Sequence, residues 1–342
     1  IYGSVGNIDI KKLEIYPKLT LIKCAFKRGS LNLIEEFKSL LNILIILKRI
    51  KPDFIHLINL KPYLYGGFIA KLLSIPSISS ITGLGFTNKH IYSSKIYKFI
   101  ILIFLSIVLK RKKHLIIVQN KDDKLFLLNN FKIKEENIYL IKGTGIKIEK
   151  YEYKKLPKSP YKILFPARFI KEKGIIEFIE ASKLLKNKYP SLSFLLVGEL
   201  DKQARSFIKK EQLDQWEKLG LIKLIGYKSN LSEILSIAHI ICLPSYQEGF
   251  PRVLIEAAAC GRPVITTNVP GCREAIINKK TGLLIKPRDS NSLASAIEYL
   301  INNHSRLAQM SKSSRTFAED NFKEEIINQK HVLVYNNLSK FL

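Results

Sequence analysis

Residues 237–274 read IAHIICLPSYQEGFPRVLIEAAACGRPVITTNVPGCRE, and this stretch constrains the fold most. An apolar run at 237–244 ends at Pro244 and reads as a buried strand. The turn 245–251 carries one acid, Glu248, and one glycine, Gly249. Residues 252–260 read as a helix, with Pro251 at its start and Gly261 after its end. Residues 263–267 form the next strand, and Pro270 with Gly271 opens another turn. Strand, loop, helix, strand is the unit of a parallel sheet, so the fold class is α/β.

In an open parallel sheet, the groups after the strand C-ends face the ligand crevice. Glu248 occupies that position, and Glu256 follows eight residues later in the helix. Gly249 permits close approach to the backbone, and the helix N-terminus offers N–H groups to an anion or a hydroxyl. A carboxylate beside such donors can hold sugar hydroxyls. Two solvated acids at helix ends would show the same spacing. The whole pattern, EGFPRVLIEAAACGRPVITTNVPGCRE, resembles the donor-binding segment of retaining, nucleotide-sugar-dependent glycosyltransferases of family four. Their signature is E-x7-E followed by a C-G-x-P-V strand, here in the form carried by bacterial enzymes that lengthen lipid-linked oligosaccharides.

The chain has 342 residues, enough for two domains with sizeable cores. Hydrophobic residues make up 46%, which excludes a disordered chain. The four cysteines, Cys24, Cys242, Cys260 and Cys272, show no C-x-x-C spacing, and Cys242 and Cys260 read as buried thiols in a reducing compartment. No metal motif is visible among the six histidines. Net charge is +27, with 26 Lys+Arg against 10 Asp+Glu in residues 1–150 and 30 against 19 in the remainder. Such an excess is compatible with anionic membrane or nucleic acid. No zinc knuckle, helix-turn-helix spacing or aromatic-basic pattern points to specific nucleic-acid binding.

The first half alternates strands (19–22, 54–58, 78–82, 115–119, 138–141) with helices (32–50, 65–73, 95–114, 121–130). The family has a strand, a Gly-rich turn and a helix at its N-terminus. Here the match begins near the second or third strand, so the first domain is expected to be N-terminally truncated. After the strand at 78–82 comes Thr82-Gly83-Leu84-Gly85-Phe86, too short for a dinucleotide fingerprint and suited to an acceptor loop. The lipid-linked branch of the family has I-T-G-L-G-[FY] here, where other members place a histidine, so no catalytic histidine is carried over. Asn59 and Lys61, after the strand at 54–58, are candidate acceptor contacts or ordinary polar residues at a strand end. His56 lies within that strand and reads as a satisfied core histidine. In the segment 95–114 an apolar core of 11 residues is flanked by Lys98 on one side and by Lys110, Arg111, Lys112 and Lys113 on the other. A bilayer span needs about 20 residues, so this segment reads as a basic interfacial helix or as a domain helix with a solvated end.

Residues 148–160 are polar and proline-bearing, with the linker proper at 151–160. Domain boundaries are therefore expected at 1–150, 161–320 for the donor side, and 321–342 for a last helix, which the resemblance sends back to the first domain. Arg168 and Lys173 lie between a strand end and a helix start. Arg clamps phosphate with two nitrogens and Lys adds a point charge. Their R-x4-K spacing resembles the diphosphate-binding pair of the family. Lys147 stands where the family has an acid.

The resemblance implies the GT-B arrangement, two Rossmann-like domains facing across a cleft. It implies sugar transfer from a UDP-sugar co-substrate, without cofactor or metal, to a polyprenyl-diphosphate-linked saccharide on the inner face of the cytoplasmic membrane. Glu248, Arg168 and Lys173 then serve catalysis. Glu256 holds the ribose, and Gly249 and Phe250 offer backbone N–H groups to the donor. Three alternatives share the pattern: a phosphorylase, marked by a lysine-bound pyridoxal cofactor; an epimerase, marked by UDP-sugar turnover without acceptor; and a non-enzymatic nucleotide-binding or scaffold relic.

Overall fold

Two parallel sheets, one from each half of the sequence, carry the architecture. The computed structural model describes residues 2–3, 22–23, 33–84, 95–204 and 206–341. In the first half, β1 (Tyr2–Gly3) pairs in parallel with β2 (Ile22–Lys23). Then follow α1 (Leu33–Ile50), β3 (Ile55–Ile58), α2 (Leu60–Leu72), β4 (Ser77–Ile81), α3 (Lys95–Leu109), β5 (His114–Val118), α4 (Lys121–Phe131) and β6 (Ile138–Leu140). Strands β3 to β6 form a four-stranded parallel sheet in chain order.

The second half runs β7 (Lys162–Pro166), α5 (Ile175–Lys186), β8 (Ser193–Val197), α6 (Lys210–Lys218), β9 (Lys223–Gly226) and α7 (Leu231–Ser236). It continues through β10 (Ile240–Leu243), α8 (Arg252–Ala259), β11 (Val264–Thr267), α9 (Pro270–Glu274), β12 (Gly282–Ile285) and α10 (Ser290–Asn302). Its six strands are all parallel, in the order β12-β11-β10-β7-β8-β9. Strands buried on both faces read as continuous apolar runs, and IICL of β10 is fully buried. These are the two Rossmann-like domains that the resemblance implies.

Two long helices close the chain, α11 (His304–Phe322) and α12 (Glu324–Ser339). Ile327, Val334 and Leu338 of α12 are buried against Ile78, Leu115, Ile117 and Ile141 of the first domain. His56 in β3 secures this crossing, with Nδ1 2.9 Å from the Tyr335 hydroxyl and Nε2 2.6 Å from Ser80 Oγ. It is a satisfied histidine in the packing between β3 and α12.

One expected boundary moves, and two local features are set by tertiary contacts. Helix α2 starts at Leu60 rather than at 65, because Pro62 falls in the first turn, where its missing N–H would have no helical partner anyway. Residues 202–204 and 206–209 are not helical. Their backbone is drawn onto the loop after β7, with Ile208 N–H donating to Phe169 O at 2.9 Å and Phe207 bridged to Ile170. In α1 the buried face holds Ser39, Ile43 and Leu47, while Ile34, Phe37, Leu41 and Ile45 are 42–67% exposed. A period of 3.6 marks an apolar face without showing which side of the helix the protein covers.

His239 is buried at the start of β10. Its Nδ1 accepts from the Lys162 N–H at 3.1 Å, and its Nε2 lies 3.0 Å from the Pro157 carbonyl. An amide only donates and a carbonyl only accepts, so the ring is neutral with its proton on Nε2. Burial pushes its pKa down from 6.5 to about 4. The unfolded chain therefore binds more protons between these values. Stability contributed by neutral His239 is complete above pH 6.5 and is lost as pH falls toward 4. Replacing it by His239→Gln, which cannot titrate, is expected to flatten the fall of the urea midpoint over that window. Equal slopes for variant and wild type would contradict a neutral buried ring.

Candidate functional site

In the six-stranded sheet the direction of winding reverses between β7 and β10. Side by side, these strands send their following chains to opposite sides and leave a crevice beyond their C-terminal ends. The loop after β7 carries Arg168 and Lys173, and the loop after β10 carries Glu248, Gly249 and Phe250. The two loops touch at Gly174, whose φ is +78° and where a Cβ would fall 2.1 Å from the Pro244 carbonyl oxygen.

Across that contact Lys173 Nζ reaches Glu248 Oε1 at 2.5 Å. Ser245 Oγ donates to the same oxygen at 2.8 Å. The Glu248 side chain is only 11% exposed, so this pair is a set feature of the crevice rather than a surface ion pair. Arg168 is half-exposed and pairs with Asp201 from the loop after β8. The two cations singled out in the sequence thus converge on one crevice, each beside a carboxylate.

Glu256 lies in α8 and is 8% exposed. Its Oε1 accepts from Tyr151 OH at 2.8 Å and from Arg252 Nε at 2.8 Å. Arg252 also donates to Thr144 Oγ1 of the first domain at 3.1 Å. The Phe250 ring packs between domains, 5.6 Å from the Phe322 ring and against Gly143, where a Cβ would lie 2.7 Å away.

The first domain turns its own strand C-ends toward this crevice. After β4, the backbone of Thr82 and Gly83 meets Gly249 directly. A Cβ on Gly249 would fall 1.5 Å from Thr82 O, and one on Gly83 would fall 3.0 Å from Gly249 Cα. After β5, Asn120 caps α4 by accepting from Asp123 N at 2.8 Å and donates to Gly249 O at 3.0 Å. Flanking ion pairs join Asp122 to Arg273 at 2.9 Å and Lys142 to Glu274 at 2.5 Å. The close approach anticipated over Gly249 is therefore made by the facing domain. Asn59, after β3, accepts from Thr82 Oγ1 at 3.0 Å and holds φ at +74°, a conformation disfavoured for side-chain-bearing residues.

Several sequence assignments are corrected. Lys61 sits in the first turn of α2 rather than before the helix, with its ammonium on Glu36 at 2.6 Å. Arg111 is not turned outward to a membrane. Its guanidinium faces inward, donating to Ile75 O at 2.7 Å and to Gly67 O and Ser77 Oγ at 3.0 Å each. Burial lowers its pKa to about 10. Lys110, Lys112 and Lys113 remain exposed and, with Lys71, line a groove of about 630 Å³ at the far end of the first domain. Helix α3 is partly a core helix, with Ile101, Leu105, Val108 and Leu109 buried and Phe99 and Ile103 exposed. Gly85 and the Lys98 side chain lie outside the described residues. Lys147 faces Glu324 at 3.7 Å. Cys242, Cys260 and Cys272 are buried free thiols.

The sequence reading missed Asn120, Thr144, Tyr151, Asp201 and Ser245. Ser245 and Thr144 lie within or beside recognised motifs, and the other three do not. Among the described residues no group of three His, Cys, Asp or Glu side chains is arranged to hold a metal, and no helix is long and apolar enough to cross a membrane.

The profile of the family described as "Glycosyl transferases group 1" matches residues 147–317, and that described as "Glycosyl transferase 4-like" matches 9–120. The chain is 30% identical to the Campylobacter jejuni N,N'-diacetylbacillosaminyl-diphospho-undecaprenol alpha-1,3-N-acetylgalactosaminyltransferase, over 94% of this chain and 87% of that protein. It is 25% identical to the Escherichia coli UDP-Gal:alpha-D-GlcNAc-diphosphoundecaprenol alpha-1,3-galactosyltransferase, over 78% of this chain and 71% of that protein. Among solved structures, Anabaena HepE in complex with UDP and glucose superposes with a TM-score of 0.76 at 17% identity, covering 98% of this chain and 90% of that one.

Gly249→Ala tests the backbone contact. The atom in the way is a main-chain oxygen, so the loops must part, at a cost of about 1–3 kcal/mol for an overpacked contact. The variant is expected to show a larger radius of gyration in solution scattering and faster amide exchange at Leu84. Unchanged scattering and exchange would show that the contact yields locally.

Proposed function

Because this chain belongs to the group 1 glycosyltransferases, with the GT-B fold, we propose that it transfers an N-acetylhexosamine from UDP to a polyprenyl-diphosphate-linked saccharide with retention. The observation that carries this reading is the convergence of Arg168, Lys173 and Glu248 at the switch point, facing the strand C-ends of the first domain. The family membership supports the sugar transfer. The lipid-linked acceptor is supported by the two relatives whose names specify diphospho-undecaprenol acceptors.

In this reading the bond from the sugar C1 to the β-phosphate oxygen breaks while the acceptor hydroxyl adds from the same face. The acceptor proton passes to the leaving phosphate oxygen. Negative charge grows on the diphosphate, where Arg168 and Lys173 stabilise it without a metal. Glu248 receives hydroxyls of the donor sugar, with the Gly249 and Phe250 N–H groups beside it, and Glu256 receives the ribose. Asn59, Gly83 and Gly85 lie on the acceptor side.

We propose further that the first domain docks on the anionic inner face of the cytoplasmic membrane. The exposed α1 residues Ile34, Phe37, Leu41 and Ile45 have Lys38, Lys48 and Arg49 beside them, and Lys110, Lys112 and Lys113 add positive charge.

Alanine at Arg168 or Lys173 is expected to slow transfer by roughly 10²-fold, the scale of a lost oxyanion donor, without unfolding the protein. EDTA is expected to leave wild-type transfer intact. The assay is transfer from UDP-GalNAc and UDP-GlcNAc to a polyprenyl-diphosphate-sugar. Strict dependence on Mg²⁺ would overturn the metal-free step, and no transfer together with no nucleotide binding would overturn the reaction. Co-sedimentation with liposomes is expected to rise with anionic lipid and fall with salt. Equal binding to neutral and anionic vesicles at every salt concentration would refute the electrostatic docking.

A further inference from the structure

Glu256 uses its two oxygens unequally. Tyr151 OH and Arg252 Nε both donate to Oε1, at 2.8 Å each, and no described residue donates to Oε2. Two donors on one oxygen fix the rotation of a carboxylate and leave the other oxygen to a third partner. The two donors are not equivalent. Arg252 is 55% exposed and shares its guanidinium with Thr144. Tyr151 is held at both ends. Its carbonyl accepts from Arg315, whose guanidinium also donates to Ala259 O at 2.7 Å and to Glu319 Oε1 at 2.6 Å. Its ring packs on the apolar cluster that contains Ile255, Ala259 and Phe322. Burial and the neighbouring carboxylate push its phenol up to about 12, so it remains a donor at neutral pH.

We infer that Tyr151, at the start of the linker, is a positioning residue for nucleotide recognition: its hydroxyl holds Oε1 of Glu256, so that Oε2 is the atom presented to the ribose hydroxyls of the donor. This rests on the reading of Glu256 as the ribose acceptor. It makes the linker part of the nucleotide site, although Tyr151 itself touches no substrate.

The test is calorimetric titration of the full chain with UDP and with 2′,3′-dideoxy-UDP, which lacks the hydroxyls that Oε2 would receive. Tyr151→Phe keeps the ring and removes one hydroxyl. It is expected to weaken UDP binding on the order of tenfold, the scale of a lost hydrogen bond to a charged group, and to leave 2′,3′-dideoxy-UDP binding as in wild type. In the transfer assay the donor KM should rise while kcat holds. Equal weakening for both nucleotides would mean that Tyr151 acts through packing, and wild-type binding of UDP would mean that it positions nothing. Either result overturns the inference. Glu256→Gln separates the two levels. If Glu256→Gln loses the preference for UDP while Tyr151→Phe keeps it, only the role of Tyr151 fails. If Glu256→Gln keeps the preference too, the ribose reading fails and this inference with it.

Discussion

Everything at the site depends on one contact between two backbones with no side chain between them. The Thr82 carbonyl lies where a Cβ of Gly249 would be, and Gly83 completes the approach. Only glycines allow the loop after β4 and the loop after β10 to meet so closely. Because each loop follows a strand C-end, the contact turns the crevice of one sheet onto the other. Asn120 on Gly249 O, Arg273 on Asp122, Lys142 on Glu274 and Arg252 on Thr144 then register the domains around it. A glycosyltransferase must bring a diphosphate and an acceptor hydroxyl to one point, and here two domains with separate cores are aligned by that narrow seam.

Most of the fold was legible because its elements are strongly periodic. Strands such as β8 and β10 are short apolar runs between turn residues, and α8 has Pro251 before it and Gly261 after it. The positions of Glu248, Arg168 and Lys173 after strand ends, and of Glu256 in the helix that follows, were legible locally, whereas the roles given to them come from the family resemblance. What escaped depends on partners remote in sequence. Tyr151 and Glu256 are 105 residues apart, and Asn120 and Gly249 are 129 apart. Nothing local to Tyr151 distinguishes it from Tyr153. Ile208 likewise answers to a remote partner, its N–H donating to Phe169 O in the loop after β7.

The charge also divides once partners are visible. Arg111 looked like part of a basic surface run, but it satisfies two carbonyls and a hydroxyl inside the first domain. Lys48 and Arg49 in the last turn of α1, Lys71 in the last turn of α2 and Lys110 after α3 sit at helix C-termini, where cations offset the dipole. Some of the basicity is therefore architectural, and the same helix ends collect it on one side of the first domain.

Helix α12 covers Ile78, Leu115 and Ile117, residues of strands that leave the ribosome long before it does. Until α12 is synthesised, one face of the first sheet has no apolar cover from this helix. The first domain, though earlier in the chain, cannot reach its final packing before the second domain has been made. Folding is then ordered by the polypeptide's path rather than by its direction of synthesis. The nascent first domain must wait, partly uncovered, for a helix that follows the second domain in the chain, and a chaperone meeting this chain during translation would find that face exposed.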